Sequence, residues 1–227
     1  MAKNMYEFVD ERWNPVRGKF VFDCSYCYTK QWGRSFPLHL DEKVLNKNLG
    51  SGKMIFICSG CDLFAPDVPE EWIERVVKHT RKYPDNKYLW HTKNPVRLDV
   101  IENIGLIEND IACVTIESNW PLSTISKAPT PFERFEGLSY WKGKVMITIE
   151  PIIDFELEVL VELIKNENPI QVNIGADSRK CNLPEPPKEK IIDLINELEN
   201  FTTVHKKSNL GRLLHSETLN KYPMGAK

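Results

Sequence analysis

Two pairs of cysteines stand two residues apart in this chain: Cys24 with Cys27, and Cys58 with Cys61. Soft thiolates at that spacing suit zinc or an iron–sulfur cluster. Each pair also has a simpler reading. Cys24 and Cys27 fit a redox couple or two buried side chains without a task. Cys58 and Cys61 fit small residues buried at a tight turn beside Gly60, and that reading is preferred for them. If the pairs follow neighbouring strands, about 4.8 Å apart, their four thiolates could converge on one ion. Cys113 and Cys181 have no partner at a ligand spacing and read as structural.

The second source of chemistry is a series of polar residues closing apolar segments. Asp62 follows Met54–Cys58, Lys93 follows Lys87–Thr92, and Glu117 ends Asp110–Glu117. Glu150 follows Lys144–Ile149, Asn173 and Asp177 lie at the end of Pro169–Ile174, and Lys206 ends Thr202–Lys206. In parallel β/α folds, chemistry sits at the C-terminal ends of the strands. These seven residues are therefore expected to line one cavity. The plainer alternative is that Glu117 and Glu150 pair with Lys93 or Lys206, and that His91 is a packed, hydrogen-bonded histidine.

The elements that would position these residues alternate. The apolar segments above are strand-sized and rich in β-branched residues. Between them run helical patterns: Pro69–His79, a short one over Val96–Asn103, Phe155–Asn166, and an amphipathic one over Pro187–Phe201. Strand–helix alternation means a parallel sheet covered by helices. Six or so units are too few for a closed eight-fold barrel. The fold class expected is α/β, an incomplete (β/α) barrel of about six parallel strands, with an open doubly wound sheet as the alternative. Residues 1–227 are read as a single domain. Asn119–Glu136 is the one long irregular stretch, and the tail Ser208–Lys227, with Arg212, His215, Lys221 and Lys227, reads as a solvated terminus whose basic residues would also suit phosphate contacts.

Of the 227 residues, 41% are hydrophobic and 27% charged, which fits a globular protein. The net charge of −2 gives no global attraction to nucleic acid or anionic lipid, although a local basic groove stays compatible with it. No secretory signal and no apolar run near ~18 residues is visible, so a cytoplasmic location without membrane contact is expected. Six cysteines in that setting point to metal or redox chemistry.

Trp13-Asn14-Pro15-Val16-Arg17-Gly18-Lys19, followed by Asp23-Cys24-Ser25-Tyr26-Cys27-Tyr28, resembles the signature of the radical S-adenosylmethionine (radical SAM) superfamily. That superfamily spaces three cysteines C-x3-C-x2-C, with an aromatic residue before the last. Ser59-Gly60-Cys61-Asp62-Leu63-Phe64, Thr92-Lys93-Asn94-Pro95-Val96-Arg97, Thr148-Ile149-Glu150-Pro151-Ile152 and Asn173-Ile174-Gly175-Ala176-Asp177-Ser178 are similar to its phage-associated, poorly characterised branch related to spore photoproduct lyase. The resemblance implies a metal-binding enzyme that uses a 4Fe-4S iron–sulfur cluster and S-adenosylmethionine to form a 5′-deoxyadenosyl radical. It implies Cys24 and Cys27 as iron ligands, Tyr26 near the adenine, and Ser59, Gly60 and Asp62 at the methionine end. Glu117 and Glu150 would face the ribose or the substrate. Lys93, Asn173, Asp177 and Lys206 remain for the substrate, a small molecule, a nucleotide or a nucleic acid. The chain departs from the signature at Phe20, which stands where the first cysteine belongs. Cys61 or Cys58 is then the expected third ligand. Two other functions stay open: a four-cysteine zinc protein, and a catalytically silent barrel that binds a small anionic ligand.

Overall fold

The structure, a computed structural model, describes residues 5–27, 29–30 and 36–215. Tyr28 of the cysteine loop, and Lys221 and Lys227 of the tail, lie outside them. Seven strands form one parallel sheet in sequential order: β1 (Glu11–Trp13), β4 (Met54–Ile57), β5 (Lys87–Thr92), β6 (Asp110–Thr115), β7 (Lys144–Ile149), β8 (Gln171–Ile174) and β9 (Thr203–Lys206). The short strands β2 (Val16–Arg17) and β3 (His39–Leu40) pair antiparallel beside it. The sheet is open, an incomplete barrel of seven strands where about six are expected from sequence.

Alternation along the strands separates two faces. Ile55, Ile57, Tyr88, Trp90, Ala112, Val114, Val145, Ile147, Val172 and Ile174 pack in one large core with the helices. Those helices are α2 (Glu70–Thr80), α3 (Asp99–Gly105), α4 (Pro131–Leu138), α5 (Leu157–Asn166) and α6 (Lys188–Glu199), with the single turn α1 (Glu42–Leu45) before β4. On α6, Ile191, Leu194, Ile195 and Leu198 recur at helical spacing and are buried, each contributing about 1.5–3 kcal/mol of burial. The opposite strand residues, Phe56, Leu89, Ile111, Cys113 and Met146, form the inner face and pack with Tyr6 and Val9. The N-terminal strap thus fills the lower part of the barrel interior.

Two sequence expectations are corrected. Asn119–Glu136 is irregular only in its first part. Its second part enters α4, which starts with a capping box: Thr130 accepts from the Glu133 backbone N–H while the Glu133 side chain accepts from Thr130. The tail does not begin as a solvated terminus at Ser208. Residues Ser208–Leu210 form a 3-10 turn with Leu210 buried, leading into α7 (Gly211–Leu214). Among the described residues no helix is long and apolar enough to cross a membrane.

Candidate active site at the barrel mouth

Three layers stack upward along the inner face. The lowest is the apolar one just described. Above it, Thr115 Oγ1 lies 2.9 Å from His91 Nε2. Tyr6 reaches in with its hydroxyl 2.7 Å from Thr148 Oγ1, and Asn173 Nδ2 donates to the same oxygen at 3.3 Å. Burial, with Lys93 and Lys207 nearby, depresses His91 to a pKa of about 3. It stays a neutral, packed histidine.

The top layer carries the charges. Lys93 follows β5 and Glu117 follows β6, both on the parity that points inward. Tyr26, from the cysteine loop, donates to Glu117, and Lys93 donates to both. From the helix side, Arg134 of α4 donates to the other Glu117 oxygen at 2.6 Å. Glu117 and Arg134 are fully buried. Burial alone would raise the Glu117 pKa, but Arg134 and Lys93 outweigh it and bring it down to about 2. Burial, then the Glu117 charge, raises Tyr26 well above its ordinary value. Beside this cluster, Glu150 accepts from Lys207 and, at 2.8 Å, from Asn209 Nδ2. Lys207 lies 4.9 Å above the Tyr6 ring centroid, a cation–π distance. Gly175 makes this packing available: a Cβ there would stand 2.7 Å from Glu150 Oε1.

The other expected residues sit around this mouth. Cys58 adopts a left-handed backbone (φ 53°) and opens the turn to Cys61. Asn14 holds that turn, accepting from Ser59 Oγ at 3.1 Å and Gly60 N at 3.2 Å. Asp62 is buried behind the sheet end, accepting from Thr92 Oγ1, from Lys93 N at 2.7 Å and from Phe64 N at 2.9 Å. It therefore fixes the backbone from which Lys93 projects. Asp177 is buried and accepts from Arg179 N and Cys181 N. Lys206 turns to the helix side, 2.8 Å from Glu199; the lysine on the inner face is Lys207. Strand parity is the signal for this, since Lys206 shares its face with Val204 and Ile174.

The cysteine pairs stay apart. Cys24 Sγ lies 3.1 Å from Ser126 Oγ, and Cys27 Sγ 3.0 Å from Thr29 Oγ1. Cys61 donates to Val16 O at 3.1 Å, and its thiol is raised by its contact with Cys58 and by burial. Phe20 packs against the core, edge-on to Phe22 with centroids 5.8 Å apart. No group of three His, Cys, Asp or Glu among the described residues is placed to hold a metal ion. β1 ends at Trp13, so the chain leaves the sheet ten residues before Asp23 and the cysteine loop. Arg134 and Tyr6 are the members of the mouth that sequence reasoning does not assign.

A family model described as "Protein of unknown function (DUF5131)" matches residues 3–165. The chain belongs to that family. A search of curated proteins finds no match. Among solved structures, a cysteine-to-serine mutant of spore photoproduct lyase superposes with a TM-score of 0.66 at 11% identity, covering 91% of this chain and 81% of that one. Another mutant of that lyase, solved with bound AdoMet and dinucleoside spore photoproduct, gives 0.60 at 10% identity over 81% and 72%. Native anSMEcpe with bound AdoMet gives 0.51 at 11% identity over 87% and 63%. At these identities the likeness establishes the fold of this DUF5131 member, the partial barrel of radical SAM type.

Proposed function

We propose that this DUF5131 chain acts as one radical SAM-type unit that binds S-adenosylmethionine at the mouth of its barrel and presents it to a small-molecule or nucleotide substrate. The observation that carries this is the buried Tyr26–Lys93–Glu117–Arg134 cluster at the strand ends of β5 and β6, in a fold shared with structures solved with AdoMet. Glu117, held as a carboxylate, is an acceptor for ribose hydroxyls. Tyr26 offers a flat face to an adenine. Ser59 and Gly60, steadied by Asn14, supply the turn beside the methionine end. Glu150 and Asp177 complete the wall, with buried Asn173 in the layer beneath.

The donor set does not fit a four-iron cluster held by three protein thiolates. Only Cys24 and Cys27 share the loop, Phe20 stands where the first cysteine belongs, and Cys58 and Cys61 face each other and Val16. The same separation of the two pairs leaves a closed four-cysteine zinc site without support in the geometry. A second reading, a radical enzyme that holds a cluster in spite of Phe20, draws on the Cys24–Cys27 pair, whose Cys27 is partly exposed.

The deciding experiment has two arms. Calorimetric titration with S-adenosylmethionine and S-adenosylhomocysteine tests the ligand, and absence of binding to folded protein refutes the proposal. Iron, sulfide and zinc quantification after anaerobic reconstitution tests the cluster. Little iron beside clear ligand binding is the expected result, and four irons per chain would establish the second reading.

A further inference from the structure

Arg134 is an unusual residue to find wholly enclosed. It belongs to α4, on the helix side of the sheet, yet none of it is exposed. Its Nε donates to Pro129 O at 2.7 Å, and its Nη1 donates to Thr115 O at 2.8 Å and to Glu117 Oε2 at 2.6 Å. One guanidinium therefore ties three things together: the loop before α4, the end of β6, and the carboxylate shared by Lys93 and Tyr26. A buried ion pair is weak evidence for stability, because an apolar pair of similar volume often serves as well. The placement is better explained by what the charge does to the mouth.

We propose that Arg134 is the positioning residue of the mouth: it holds Glu117, and through Glu117 it holds Lys93 and Tyr26, in the arrangement that an adenosyl ligand meets. The inference rests on the ligand reading given above. The groups facing Glu117 are Lys93 from the end of β5, Tyr26 from the cysteine loop, Arg134 from α4, and neutral His91 one layer below. Cys24 acts on Tyr26 in turn. The Arg134 charge lowers the Glu117 pKa ahead of the Lys93 charge, and Lys93 adds its hydrogen bond. Without Arg134, only Lys93 and Tyr26 are left to offset burial, so the Glu117 pKa rises and the carboxyl holds both partners less firmly.

The test follows the Glu117 side-chain carboxyl by 13C NMR between pH 8 and 4, with the resonance assigned through Glu117→Gln. The wild type, Arg134→Gln and Arg134→Lys are compared, and S-adenosylhomocysteine affinity is measured over the same range. In the wild type the carboxyl is expected not to titrate and the affinity to stay flat. In Arg134→Gln the titration should enter the window, with affinity at least about tenfold weaker and falling further as pH drops. Arg134→Lys should restore the flat profile. Its affinity should stay several-fold below wild type, because one ammonium cannot serve Pro129, Thr115 and Glu117 together. An unmoved Glu117 resonance in folded Arg134→Gln overturns the inference. If that variant does not fold, Arg134→Lys decides: wild-type affinity overturns the inference, and a several-fold loss supports it. If the wild type ignores S-adenosylhomocysteine, the ligand reading fails, while the Glu117 titration still decides the role of Arg134.

Discussion

Gly175 offers the sharpest single perturbation of the mouth. It continues the line of β8 beyond Ile174, its N–H donating to Ile149 O at 3.0 Å. A Cβ added there would lie 2.7 Å from Glu150 Oε1, 2.8 Å from Glu150 Cδ and 3.0 Å from Asn209 Oδ1. Neither neighbour yields freely. Glu150 is held by Lys207 and Asn209, and Asn209 also donates to Ala176 O at 2.8 Å. Gly175→Ala therefore overpacks a tethered site, a class of change that costs about 1–3 kcal/mol. For a chain of this size each kcal/mol lowers Tm by about 2–4 °C, so a fall of about 2–12 °C is expected. The double variant Gly175→Ala/Asn209→Ala removes one of the two obstacles. It should be more stable than the sum of the single effects predicts, which a double-mutant cycle by thermal denaturation measures directly. A Gly175→Ala protein that melts within about 1 °C of wild type would show that the Glu150–Lys207–Asn209 cluster is loose, and that its geometry cannot carry recognition.

Three further outcomes follow from the same geometry. Lys207→Ala leaves Glu150 enclosed without its counter-charge and should cost about 3 kcal/mol in urea denaturation. Lys206→Ala breaks only the exposed pair with Glu199 and should cost no more than about 1 kcal/mol; equal losses would refute the assignment of faces. His91, at about 3 when folded against 6.5 for a free side chain, binds a proton in the unfolded chain long before the folded one does. Stability should thus fall as pH drops from 6.5 toward 3, by about 1.4 kcal/mol per pH unit from this group alone. Replacing it with His91→Asn should flatten that part of the profile, and an unchanged slope would show that His91 titrates in the fold. Phe20→Cys should raise iron per chain after anaerobic reconstitution, by adding the thiolate that the Cys24–Cys27 loop lacks. No gain would mean that position 20 does not face the pair.

The layout of the sheet is legible in the sequence because its signals are local. Lys87–Thr92 and Lys144–Ile149 are bounded to the residue, since short apolar runs between polar ends leave little freedom. The helices α2, α5 and α6 fall within two residues of their sequence patterns, because their buried positions recur at 3.6. β1 is invisible as a strand: Glu11-Arg12-Trp13 has one buried side chain and pairs only as an edge, so period and hydropathy say nothing. α4 is hidden although Thr130-Pro131-Phe132-Glu133 spells its capping box, because the prolines around it read as breakers. At the site, Lys93 and Glu117 are legible as strand-end charges. Their partner Arg134 is not, because the contact joins a helix to a strand end 17 residues away, and no pattern along the chain encodes it. Expecting Lys206 in place of Lys207 is an error of register by one, and in a strand a shift of one residue moves a side chain to the other face.

That register also explains why the interior of this barrel is partitioned. Every second strand residue points inward, so the strand sequences stack in layers: Met146, Thr148 and Glu150 on β7 and beyond, with Leu89, His91 and Lys93 on β5 and beyond. The lowest layer is apolar and is sealed by Tyr6 and Val9 from the N-terminal strap. The middle layer is neutral and hydrogen-bonded to itself through Tyr6, Thr115, Thr148 and His91. Above the middle layer come the charges of the mouth, where Lys93 and Lys207 depress His91 from above and Tyr26 closes over Glu117. A ligand entering from the mouth therefore meets paired charges first and, beneath them, side chains already satisfied by one another. Its recognition has to come from exchanging partners in the top layer, Tyr26 and Lys93 on one side and Asn209 and Lys207 on the other. The strap and the middle layer form a floor that limits its depth.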